Sequence, residues 1–279
     1  MGTSSGEPDI QGYYEEHTTR MLRWGPGRRE GAIHRANWDP GCRTLDESLH
    51  AVERRILERL LALAPKHVLD LGCGVGSSAL WIAERLAVHV TGITLSPLQA
   101  RLARERTAQR GLEDRCRFLE GDFCSNFPVK NVGTAYAIES FSHASSPAGF
   151  FARQKELLPT GALLLICDDF LTHETPSERM EARWVGRFAA GWRLPSLCTM
   201  EEAASRAKAS GFELLSNEDL TPFLRLTPRA GLLLRSLIES LPLLKASVRS
   251  SLAGGTALQV CQRRGWTHYR FLVFRRQNA

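Results

Sequence analysis

Between Val68 and Gly76 the chain reads Val-Leu-Asp-Leu-Gly-Cys-Gly-Val-Gly. An apolar run ends in an acid and opens into three glycines at alternating positions, Gly72, Gly74 and Gly76, and a helix-like pattern follows at once over Ser77–Leu86. Glycine has no Cβ and tolerates positive φ, so a ligand can lie against bare backbone there. The helix that follows offers unpaired N–H groups to a polar ligand. Such a strand, turn and helix form one half of a nucleotide-binding α/β domain; a plain tight turn in another α/β protein is the alternative. The dinucleotide fingerprint is G-x-G-x-x-G, with an acid at the end of the next strand about 20 residues on. Here the spacing is G-x-G-x-G and the acid, Asp70, stands ahead of the glycines.

Strand and helix patterns alternate around this turn. Apolar positions at helical spacing predict an amphipathic helix over Leu45–Leu63, ended by Pro65. Strands are predicted at His67–Leu71, Val88–Ile93, Cys116–Glu120, Asn131–Ile138 and Ala162–Asp168. Helices are predicted from Ser96-Pro97 to Arg110, with a serine cap and a first-turn proline, and over Ala148–Leu158. This order implies a doubly wound, mostly parallel sheet. Beyond Asp169 the rhythm changes: helices at Glu178–Phe188 and Thr199–Ser210, a strand at Phe212–Asn217, an apolar helical region Leu226–Val248 broken at Pro242, a helix ending at Gly265, and a strand at Tyr269–Phe274.

The D-x-G-x-G-x-G form of residues 70–76 resembles motif I of class I S-adenosylmethionine (SAM)-dependent methyltransferases. That resemblance implies a Rossmann-like fold of seven strands. It also implies that the backbone of Gly72, Gly74 and Gly76 underlies the methionine part of SAM, with Asp70 helping to hold its ammonium. Most class I enzymes end strand two in an acid that grips the ribose; this chain has Ile93-Thr94. The run Gly-Ile-Thr-Leu-Ser-Pro-Leu-Gln at 92–99 instead resembles the small-molecule C-methyltransferases of sterol, tocopherol and prenyl-diphosphate type. In that family Thr94, Leu95 and Gln99 would meet the ribose side, Asp122 and Phe123 of Gly-Asp-Phe the adenine, and Ile138 the cofactor edge. S-adenosylhomocysteine would be the spent cofactor.

Strand four runs into Tyr136-Ala-Ile-Glu-Ser-Phe-Ser-His143. A carboxylate and an imidazole at the carboxyl end of a parallel strand face the crevice where open α/β sheets bind ligands. The segment resembles the I-E-x-x-x-H run of sterol-type enzymes. An alkene that attacks a methyl sulfonium becomes a carbocation, and Glu139 or His143 would stabilise it and take its proton. Tyr14, Trp24, Trp38, Phe141, Trp184 and Trp192 are the candidate walls of a lipophilic pocket, through their apolar area and their cation-attracting ring faces. Arg28, His34 and Arg35 are candidates to grip a diphosphate, with solvated loop charges as the alternative. A Mg²⁺ ion would enter only with such a diphosphate. No compact acidic metal motif occurs, and the adjacent acids Asp168 and Asp169 would face opposite sides of a strand.

The organisation expected is an N-terminal lid, residues 1–45, and a cofactor-binding core, residues 46–279, with helical insertions at about 170–198 and 222–262. Without a run of about 18 apolar residues, no membrane span is expected. Met1–Pro8 lacks a signal-peptide pattern, so a cytoplasmic protein is the expectation. The formal charge of +6 admits an anionic partner, but a basic patch with interleaved aromatics occurs only near Arg20–Arg29, so a nucleic-acid partner is not expected. The 7 cysteines contain no CxxC pair and read as buried thiols. The expected activity is methyl transfer to carbon of a lipophilic small molecule, such as a prenyl diphosphate or terpenoid alkene of specialised metabolism. O- or N-methylation of a natural product is the alternative, and a homo-oligomer stays open.

Overall fold

The computed structural model describes residues 12, 18–23, 31, 33–239 and 245–278. Seven strands form one sheet in the order β3-β2-β1-β4-β5-β7-β6. They are β1 His67–Leu71, β2 His89–Thr94, β3 Cys116–Glu120, β4 Thr134–Ile138, β5 Leu163–Leu171, β6 Phe212–Asp219 and β7 Thr267–Arg276. The first five are parallel, and β7 enters antiparallel between β5 and β6. This is the seven-stranded, mostly parallel fold that the sequence predicts. A parallel sheet needs both faces covered, and β5 supplies both. Leu163, Leu165 and Cys167 join one buried cluster, while Leu164, Ile166 and Phe170 join the other.

The helices are α1 Leu45–Leu49, α2 Ala51–Leu63, α3 Ser77–Arg85, α4 Pro97–Gln109, α5 Pro147–Leu157, α6 Arg179–Trp192, α7 Met200–Ala209, α8 Arg229–Glu239 and α9 Ala246–Arg264. α2, α3 and α4 cover one face; α5 and α7 cover the other. The single helix expected over Leu45–Leu63 is two. A capping box between Thr44 and Glu47 starts α1, and His50 leaves helical geometry at φ −100°, ψ 14°, with its ring stacked on Trp81 at 5.0 Å. β4 is shorter than expected because Asn131 takes φ 57° and breaks the extended run. The region Leu226–Val248 contributes α8 and the start of α9; Pro242 lies outside the described residues.

Beyond the carboxyl edge of the sheet, α6 and α9 cross closely. A Cβ on Gly191 would sit 2.5 Å from the Cα of Gly254, so a side chain at either glycine would force the helices apart. Phe188, Leu194, Ala257 and Leu258 fill a third buried cluster there. Residues 33–38 run from α3 across the strand ends: Trp38 N–H donates to Phe223 O at 2.7 Å and Asn37 N–H to Ser48 O at 2.8 Å.

Candidate active site

A cavity of about 620 Å³ opens at the carboxyl ends of the parallel strands. Its first half is mostly backbone. Asp70, Gly72, Cys73, Gly74, Val75, Ser77 and Ser78 line it where β1 turns into α3. Gly72 has φ 85°, and a Cβ there would meet the Ser140 Cβ at 2.4 Å, so only glycine fits this turn. Gly74, at φ 52°, faces open space apart from Ile33 Cδ1 at 3.5 Å. Asp70 is 3 % exposed and accepts from the Tyr136 hydroxyl at 2.9 Å. Burial pushes its carboxyl up to about 7. An ammonium placed beside it would restore its charge, so a buried acid, bare glycine backbone and a helix N-terminus fit the amino-acid tail of SAM. That cofactor, when bound, supplies an electrophilic methyl sulfonium.

Thr94, Leu95, Gln99, Phe123 and Ile138 continue this half of the wall. Thr94 donates to Gln99 Oε1 at 2.5 Å, and Gln99 Nε2 donates to the buried Thr18 hydroxyl at 2.7 Å. Gly76 and Asp122 do not line the cavity. Gly76 starts α3 against Phe118, and the Asp122 carboxylate accepts from Cys124 N–H at 2.8 Å and the Ser125 hydroxyl at 3.4 Å, closing its own turn.

The second half is made of side chains from distant segments. Glu139 ends β4 at φ 49°. Its Oε1 accepts from Arg35 N–H, Arg35 Nε and the Tyr269 hydroxyl, each at 3.0 Å. The same guanidinium reaches Asp169 through Nη1 at 3.2 Å and Nη2 at 2.7 Å, and lies 4.1 Å over the Tyr269 ring. Burial alone would raise the Glu139 carboxyl, but the charges of Arg35 and His34 and the bonds from Arg35 hold it below the usual value. Burial raises Asp169 despite Arg35. Asp168 also lines the cavity and accepts from Ser142 N–H at 3.0 Å and Ser142 Oγ at 3.2 Å; burial, with Asp169 next to it, pushes it up to about 7. Two carboxyls, Glu139 and Asp169, thus share one guanidinium. His143 lines the same chamber, and burial pushes its ring down to about 4, so it is neutral at physiological pH.

Trp38, Leu45, Trp192, Leu194, Leu226, Leu252 and Leu258 give this half an apolar lining. Phe141 and Trp184 stand away from it. Phe141 is 1 % exposed among Phe150, Phe151 and Phe170, and Trp184 packs beside Phe188. Tyr14, Trp24 and Arg28 lie outside the described residues. His34 and Arg35 reach the chamber already matched to carboxylates rather than offered to an anion. His34 Nε2 bonds Glu53 Oε1 at 2.8 Å; burial opposes its charge, but Glu53 outweighs that and raises it to about 9. Tyr269, Asp169 and Gln262 are the site residues that sequence reasoning missed. Among the described residues no group of three or more His, Cys, Asp or Glu is placed to hold a metal.

Residues 34–229 match the family model of mycolic acid cyclopropane synthetase. The sterol 24-C-methyltransferase ERG6B of Gibberella zeae is 32 % identical over 155 residues, 55 % of this chain and 41 % of that one. The chain thus spans less than half the length of that relative. The O-methyltransferase rstn1 of Aspergillus nomiae is 30 % identical over 193 residues, 68 % of this chain and 84 % of that one. Among solved structures, the [4+2]-cyclase SpnF superposes with a TM-score of 0.72 at 21 % identity, covering 99 % of this chain and 100 % of that one, a likeness of fold.

Proposed function

The chain belongs to the mycolic acid cyclopropane synthetase family, within the class I SAM-dependent methyltransferases of sterol type, and from that premise we propose that it methylates carbon of a lipophilic small-molecule alkene. The observation that carries this reading is the state of the two candidate bases. Glu139 is held ionised and weakly basic by Arg35, and His143 is a neutral ring pushed down to about 4. Neither is suited to removing a proton from a hydroxyl. For the His143 ring, at about 4, taking one from a phenol of pKa about 10 costs about 8 kcal/mol. A carbocation is so acidic that a weak carboxylate suffices.

In this reading Asp70, Gly72 and Gly74 hold the amino-acid end of SAM and Thr94, Gln99 and Phe123 its nucleoside side. The apolar walls built by Trp38, Trp192, Leu226, Leu252 and Leu258 position the alkene and exclude water. As the alkene carbon gains the methyl group, the neighbouring carbon becomes positive. The excess of carboxylates around Arg35 stabilises that charge. Glu139, with Tyr269 and Arg35 fixing its Oε1, accepts the proton through the remaining lone pairs of its carboxylate. Helices α6, α8 and α9, with residues 33–45, close the chamber as a cap. An acceptor bearing a diphosphate would find Arg20, Arg225 and Arg235 along the lining, and Mg²⁺ enters only as an ion carried by that diphosphate.

The likeness to an O-methyltransferase favours a second reading, methylation of a hydroxyl that arrives already ionised. Purified protein, SAM carrying a ¹³C-methyl group and a panel of prenyl and terpenoid acceptors decide between them. Carbon methylation gives a product methyl signal at aliphatic shift. Products labelled only on oxygen or nitrogen overturn the proposal.

A further inference from the structure

Helix α8 borders the mouth of the chamber: Arg235 lines it, as do Leu224, Arg225 and Leu226 just ahead of the helix. Leu232 turns inward and is buried, but Leu233, Leu234, Leu237 and Ile238 are exposed by 69, 59, 65 and 37 %. The pairs 233/237 and 234/238 are four apart and stack on one helix face. Four large aliphatic side chains so exposed on one face mark a contact surface rather than scattered apolar residues.

The charges around it identify what it contacts. Between Leu224 and Leu252 the basic residues are Arg225, Arg229, Arg235, Lys245 and Arg249, and the sole acid is Glu239. Glu239 is buried, paired with Arg187 at 2.6 Å and accepting from Thr256 at 2.5 Å. Arg225, Arg229, Lys245 and Arg249 are all exposed. A second copy of the chain would bring the same cations together around the contact, which like-charge repulsion opposes. An apolar helix face flanked by cations matches an anionic lipid surface, with aliphatic side chains among acyl chains and guanidinium groups at the headgroups.

We propose that α8 docks the protein on an anionic lipid bilayer, lying in the interface plane. The chamber mouth then opens at the membrane surface, where a lipophilic acceptor partitions; that last step rests on the function proposed above, whereas the docking does not.

The test is co-sedimentation of the full chain, without SAM or acceptor, with vesicles of phosphatidylcholine alone or mixed with phosphatidylglycerol. Binding is expected to the mixed vesicles and to weaken about tenfold or more at about 0.5 M salt. Leu233→Glu with Leu237→Glu is expected to lower affinity about tenfold or more, and Arg229→Glu with Arg249→Glu to abolish the preference for phosphatidylglycerol, with Tm unchanged in both. Should the glutamates unfold the chain, Leu233→Ser with Leu237→Ser gives the same readout. Failure of the wild-type chain to bind mixed vesicles, a leucine variant that binds as tightly as wild type, or a dimer that the leucine variant dissociates each overturns the proposal. Failure here leaves methyl transfer to acceptors in solution unaffected, so the two proposals fall separately.

Discussion

The two halves of the chamber are built on different principles. The glycine half, which we propose holds the cofactor, is a short stretch of backbone, Asp70 to Ser78, whose shape follows from local glycine geometry and a helix start. The other half, which we propose takes the acceptor, is a set of side chains from residues 34–38, the end of β4, β5, β7 and α9, held by charge and hydrogen bonds. Arg35 lies 104 residues from Glu139 and 134 from Asp169. Backbone half-sites tolerate changes of neighbouring side chains; a charge cluster fails when one member goes. Within the chamber, Arg35 is therefore the position whose loss is expected to cost the most.

Breaking that contrast begins with Arg35→Ala. It strands two carboxylates and is expected to cost roughly 2–3 kcal/mol in urea unfolding at pH 7, less than the ~3–5 for a fully dry pair because the side chains are 21 % and 17 % exposed. Without the cation, both acids have folded-state pKa values above their unfolded ones, so the deficit grows as pH rises and shrinks toward pH 5. A loss that is the same at both pH values would show that Arg35 acts through packing alone.

Next in size is Gly74→Arg, which should weaken S-adenosylhomocysteine binding about 100-fold, or ~2.7 kcal/mol by calorimetry, with little change in Tm, since only Ile33 stands near. Gly72→Ala should do the reverse, lowering Tm through the Ser140 clash; equal behaviour of the two variants would erase the distinction between a packing glycine and a ligand-facing one.

Smaller again is the pH effect at Asp70. An acid pushed up to about 7 must lose its proton to pair with an ammonium, so cofactor affinity should fall as pH drops below 7, approaching tenfold per unit. Asp70→Asn should flatten that profile at a cost of about tenfold in affinity at pH 8, or ~1.4 kcal/mol. Least is Trp192→Leu, expected to raise the acceptor KM a few-fold, about 1 kcal/mol, while the KM for SAM stays put; a shift in both would mean the halves are not separable.

The same contrast explains what the sequence made legible. Strand β1, the glycine turn, the Ser96 cap and β5 follow from patterns contained within about ten residues, and the fold came through them. In the glycine half, Asp70, Gly72, Gly74 and Thr94 come together in the cavity wall as their spacing implies, because a turn and the strand beside it bring them there. Gly76 and Asp122 fit the same motifs yet serve packing and a turn, because a motif records spacing, not which way a residue faces. In the side-chain half Glu139, His143, Trp38 and Trp192 line the cavity, as the sequence implies for residues at the strand ends and on the helices above them. Phe141 and Trp184 turn into cores instead, since an aromatic ring at a strand or helix end carries no mark of direction. The pairs His34–Glu53 and Arg35–Asp169 carry no local signature either. Those partners meet only when the sheet is assembled, and an arginine with unseen acids reads as one free to grip an anion.

Strand β7, last of the seven, is inserted between β5 and β6. During synthesis β5 therefore emerges with one flank unpaired, a row of leucine and isoleucine with open amides, and stays so until residues 267–276 leave the ribosome. Such an edge invites pairing with the wrong chain. The nascent protein thus passes through a sticky interval of about a hundred residues, and the hydroxyl that steadies Glu139 arrives at its close. For this chain, translation pauses or chaperones acting late should govern the yield of active protein more than any event at the glycine turn.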